Sequence, residues 1–132
     1  MRSFGNFVFS AAVVLVALPA ASAEHLVEVA WSPAGDYKSE FRIPPGKFKE
    51  LCVALKKGQR VEWTFSSAMD TSFNIHYHVG SDVSYPAKVE GIRTAQGTLE
   101  VKIDQDYCWL WKAGAEPAPL SATLKLLAER QK

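Results

Sequence analysis

Ser72-Phe73-Asn74-Ile75-His76-Tyr77-His78-Val79 is the stretch on which the fold turns. Phe73, Ile75, Tyr77 and Val79 share one parity, and Ser72, Asn74, His76 and His78 share the other. A period of two sustained this long describes a strand with one face in a core and one face in a polar setting. The same parity appears on both sides of it. Upstream, Val61, Trp63 and Phe65 alternate with Glu62 and Thr64, and residues 26–31, 37–43 and 48–55 read as extended runs. Downstream, Leu99, Val101 and Ile103 alternate with Glu100 and Lys102. Residues 107–111 form a further strand, and Leu120, Ala122, Leu124 and Leu126 complete a last one.

Turn chemistry separates these runs. Pro44-Pro45-Gly46, Lys56-Lys57-Gly58-Gln59 and Asp104-Gln105-Asp106 are turn signals, residues 66–71 read as a polar loop, and residues 80–91, with Pro86 among them, read as irregular. About eight short strands with turns every 8–12 residues predict an all-β antiparallel β-sandwich, with a barrel as the other closed solution. No convincing amphipathic helix is present after residue 24.

The first 23 residues read as a secretory signal peptide. Arg2 precedes an apolar run over residues 7–18, Pro19 breaks it, and Ala21-Ser22-Ala23 is a small-residue cleavage triplet. Residues 24–132 are then one domain, placed in the periplasm or outside the cell. Without Arg2, 14 basic residues face 14 acidic ones, and no block of like charge remains. That balance argues against nucleic acid or an anionic membrane as the main partner. No second apolar stretch approaches the length of a transmembrane anchor, so a soluble product is expected.

Cys52 and Cys108 are an even pair in an exported chain, which reads as a disulfide; free thiols or a thiolate metal ligand are the alternatives. Their bridge closes a long loop, worth roughly 4 kcal/mol in the chain-entropy model.

Residues 48–126 resemble a GOLD (Golgi dynamics) domain. Cys52 precedes Lys57-Gly58. The Phe-Asn-Ile-His-Tyr-His-Val strand ends at Gly80, an alternating strand runs over residues 97–103, and Asp-x-Tyr-Cys-Trp-x-Trp lies within residues 104–111. The resemblance implies a compact antiparallel β-sandwich, a Cys52–Cys108 disulfide and binding rather than catalysis. In cargo receptors of that family a coiled coil and a membrane helix follow the domain. Neither follows Leu126 here, so the cargo role does not carry over. A blue-copper site is not indicated, because Trp109-Leu110-Trp111 follows Cys108 and no His lies beyond His78.

His76 and His78, at i and i+2, share a strand face about 6.5–7 Å apart, a spacing at which two imidazoles can close on copper or zinc. Two solvated histidines are the plain alternative. His25, near the mature terminus behind Glu24, offers a second chelate with backbone nitrogens, or is a histidine at a frayed end. Met69 is a soft axial ligand or a loop anchor. Trp109 and Trp111, on one face with Tyr107, are core or, if exposed, a platform for sugar or peptide, with Tyr85 on a rim loop. No nucleophile elbow or Cys–His dyad is present, and Asp104 and Asp106 sit in a polar turn, so no enzyme is expected. The expected function is binding of a metal ion, copper or zinc, through the His-x-His strand. The alternative is a protein- or peptide-interaction module for an exported partner, without metal.

Overall fold

A computed structural model describes residues 10–15 and 25–129. The cleavage triplet and most of the leader lie outside the described residues; within 10–15, Val13, Val14 and Leu15 are exposed and belong to no strand. The described chain is all-β, with β1 (Leu26–Glu28), β2 (Asp36–Ile43), β3 (Phe48–Leu55), β4 (Arg60–Val79), β5 (Asp82–Glu100), β6 (Gln105–Ala113) and β7 (Ala118–Leu126). No helix among the described residues is long and apolar enough to cross a membrane.

Seven strands stand where about eight were expected, because two of the expected strands are one. β4 runs unbroken through residues 66–71, and β5 runs through residues 82–91. Both segments look like loops in sequence because they are polar. In β4, Ser67, Met69 and Thr71 nevertheless keep the inward parity of Val61, Phe65, Phe73 and Ile75. The two buried hydroxyls are satisfied on the spot: Ser67 Oγ donates to the Met69 carbonyl at 2.7 Å and Thr71 Oγ1 to the Ile92 carbonyl at 3.0 Å. A buried polar group so paired costs little, and the strand continues. Pro86 is tolerated because β5 pairs only with β4 and is an edge strand.

The strand order is β1-β3-β6-β4-β7-β2, with β5 also on β4. β4 supplies both layers. Its residues 61–67 pair with β7, and its residues 71–76 pair with β6. One long sheet therefore curls into a sandwich, turning at the register shift between Ser66 and Thr71, where Arg93 bridges Asp70 at 2.8 Å. Pairings are antiparallel except β1 with β3, which is parallel. Cys52 and Cys108 face each other across β3 and β6 and form the disulfide.

The two layers meet in an aromatic core. Trp111 on β6 packs on Phe41 of β2 at 5.7 Å and on Phe65 and Phe73 of β4 at 5.6 and 5.4 Å. Trp109, Tyr107, Leu51, Val61 and Leu124 are buried with it. Trp109 and Trp111 thus belong to the interior, and the exposed-platform reading for them is corrected: odd positions of β6 point between the layers.

Gly97 on β5 lies against the Trp63 indole, where a Cβ would come within 2.8 Å of the ring. Trp63 itself packs on Phe65 and Phe73, so the ring has little room to retreat. Gly97→Ala is expected to cost about 1–3 kcal/mol through overpacking, read as a lowered urea midpoint. An unchanged midpoint places Trp63 in a mobile site instead.

Candidate functional site

The outer face of the β1-β3-β6-β4-β5 layer gathers the polar residues of the opening stretch. Register places Glu50 opposite Leu110 and Leu110 opposite Asn74; one row along, Cys52 faces Cys108 and Cys108 faces His76. Side chains of His76 and Glu50 reach toward each other over β6. His76 Nε2 stands 3.4 Å from Glu50 Oε1, and the two side chains are only 9% and 14% exposed. His76 Nδ1 lies 2.8 Å from Asn74 Oδ1. An amide oxygen only accepts, so Nδ1 carries the hydrogen in this arrangement.

Burial of His76 follows from its surroundings. Between the Ile75–Ala87 and Tyr77–Ser84 pairs, β4 contributes one residue, His76, and β5 two, Tyr85 and Pro86. This bulge re-aims a side chain and sets the Tyr85 ring 6.2 Å from the His76 ring. His78 stands edge-on to His76 at 5.3 Å and is exposed. Burial, the largest effect, lowers the His76 pKa below its ordinary value; the Glu50 carboxylate opposes this and His78 adds to it.

Glu50, His76 and Cys108 place one potential ligand atom each within 4.8 Å of one another. Cys108 is spent in the disulfide, so its thiolate is not available there. The sequence places His76, His78 and Asn74 on one face and gives no sign of Glu50. Glu50 carries no motif; the β3–β6 and β4–β6 registers together put it beside His76.

His25 immediately precedes β1. Its carbonyl accepts from the Glu50 amide at 2.7 Å, and its ring packs edge-on against Phe48 at 4.7 Å. Glu24, its partner in the terminal chelate, lies outside the described residues. Met69 points inward, away from the histidine face. Asp104 Oδ1 accepts from the Lys57 amide at 2.8 Å, which makes it a turn anchor.

A second feature borders the first. β4 and β5 are joined by the two-residue loop Gly80-Ser81, with positive φ at Gly80 only, the pattern of a type II′ hairpin turn. On and beside this hairpin Val79, Val83, Tyr85 and Val89 are exposed, Tyr85 by 48%. Lys88 Nζ sits over the Tyr85 ring at 4.7 Å. Behind the hairpin, β5 curls over a cleft of about 690 Å³ whose lining includes Trp63, Tyr77, Tyr85 and Tyr107.

No family model matches the chain, and no curated protein matches it in sequence. Membership of the GOLD family therefore has no support beyond the motifs that suggested it, although the β fold they implied is the one observed. Solved structures do match. A periplasmic inhibitor of g-type lysozyme, PliG, from Aeromonas hydrophila is similar with a TM-score of 0.60 at 15% identity, over 77% of this chain and 96% of that one. The Salmonella Typhimurium PliG is similar at 0.56 and 14% identity, over 77% and 97%. The pre-peptidase C-terminal domain of a Bacillus anthracis collagenase is similar at 0.59 and 8% identity, over 76% and 94%. Identities this low establish a shared β fold and nothing finer.

Proposed function

We propose that this chain is an exported protein whose role is to bind a protein partner through the β4–β5 hairpin.

 The carrying observation is the pair of exposed apolar side chains Val83 and Tyr85 on the histidine face of the hairpin, beside the aromatic cleft. Contiguous exposed apolar groups rimmed by polar ones mark interaction surfaces, and a Tyr at the centre of such a patch is a common anchor. The shared fold with periplasmic lysozyme inhibitors supports a protein as the ligand. In this reading the protein is periplasmic and not an enzyme, and a g-type lysozyme is the first partner to test.

Binding of a purified g-type lysozyme to the immobilised mature chain is expected, together with slower lysis of a cell-wall suspension. Tyr85→Ala is expected to weaken binding by about 2 kcal/mol, roughly 30-fold, as for a central aromatic anchor. Val83→Asp, on the same hairpin, is expected to weaken it as well. Binding that is absent, or unchanged in both variants, overturns the lysozyme as partner and the hairpin as the docking surface respectively.

A further inference from the structure

We propose that Glu50, His76 and His78 form a binding site for a first-row divalent cation, zinc or copper, on the outer face of the sheet. The hydrogen bonding of His76 points to it. Asn74 Oδ1 takes the Nδ1 hydrogen at 2.8 Å. The neutral ring then carries its lone pair on Nε2, which faces the Glu50 carboxylate oxygen at 3.4 Å. Two acceptors in a nearly buried place face each other with no hydrogen between them. Such an arrangement is unfavourable unless a cation lies between.

The distance suits a metal. Two ligands each about 2.0–2.2 Å from a tetrahedral Zn²⁺ stand about 3.3–3.6 Å apart, and the observed separation is 3.4 Å. Asn74 plays the part that a second group commonly plays at such sites: it fixes the tautomer and the ring orientation of the ligating histidine. His78 is exposed, with its ring centroid 5.3 Å from that of His76, so a side-chain rotation brings a third ligand without moving the strand. A water completes the shell. Imidazole and carboxylate donors of this kind suit Zn²⁺ and Cu²⁺ alike. The disulfide below keeps Cys108 out of the set and leaves the site built from three residues on β3 and β4.

Isothermal titration of ZnCl₂, and separately of CuCl₂, into the tag-free mature protein with its disulfide intact decides it. The expected result is uptake of one ion per chain with a dissociation constant in the micromolar range or below. Glu50→Gln and His78→Ala are each expected to weaken uptake at least tenfold, and Asn74→Leu by about 10- to 100-fold. Thermal unfolding of each variant checks that the fold is kept. Nitrogen-15 NMR of the wild type needs no substitution: Zn²⁺ is expected to shift the ring nitrogens of His76 and His78 and not those of His25. No uptake, uptake indifferent to Glu50→Gln and His78→Ala, or shifts confined to His25 each overturn the site. In the first case a proton is what sits between Glu50 and His76.

Discussion

Trp111→Ala lowers the unfolding free energy by about 3–5 kcal/mol, the range for emptying a buried Trp site. The ring is nearly inaccessible and joins both layers, touching Phe41 of β2 and Phe65 and Phe73 of β4. Its neighbours are held by long strands on either side, so the space cannot close. Against a total stability of about 5–15 kcal/mol for a domain of this kind, the variant stands near the edge of folding. Trp111→Phe discriminates the cause. The Trp111 indole N–H has no hydrogen-bond partner among the described residues, so deleting it removes a buried donor rather than a bond. With a ring retained, Phe is expected to cost less than half as much as Ala. Urea unfolding measures both; equal costs for Phe and Ala show that the N–H, not the ring volume, matters.

Parity in the sequence revealed this core. The inward residues of β4, β6 and β7 are those whose alternation is visible by eye, and Trp109 and Trp111 fall among them by spacing alone. What parity did not reveal is continuity. Residues 66–71 and 80–91 are polar or carry Pro and Gly, and local composition cannot distinguish a loop from the corner of a long strand. The difference lies in hydrogen bonds made at the corner, by Ser67 to the Met69 carbonyl within β4 and by Thr71 across to the Ile92 carbonyl of β5, and in the edge position that makes Pro86 harmless. The parallel pairing of β1 with β3 was equally out of reach, since parity does not encode strand direction.

The site divides along the same line. His76 and His78 could be placed on one face from the sequence. Their unequal environments could not, because these depend on the bulge that sets Tyr85 beside His76 and on a carboxylate two strands away. Once Cys52 is paired with Cys108, Glu50 falls opposite Leu110, but nothing in the sequence brings β4 alongside β6 in the register that places His76 opposite Cys108. Local chemistry is written in the chain, and the meeting of Glu50 with His76 is a property of the register.

Removing the disulfide, as Cys52→Ala/Cys108→Ala, is expected to cost about 4 kcal/mol, because the bridge closes a long loop and the chain-entropy cost of ordering that loop returns to folding. The separation of the two cysteines is 56 residues, and the segment between them contains all of β4 and β5. The bridge therefore ties the strand that opens this segment to the strand that closes it. Its effect on the unfolded chain has a second signature. A cross-linked unfolded state is more compact and exposes less surface, so the double variant is expected to show a lower urea midpoint together with a larger m value. A lower midpoint with unchanged m assigns the loss to native packing at the β3–β6 pair instead. An unchanged midpoint shows that the β3–β6 ladder closes the loop without help from the bridge. The same variant leaves Glu50, His76 and His78 in place, so cation uptake measured in it separates a site that needs only the sheet from one that needs the bridge beneath it.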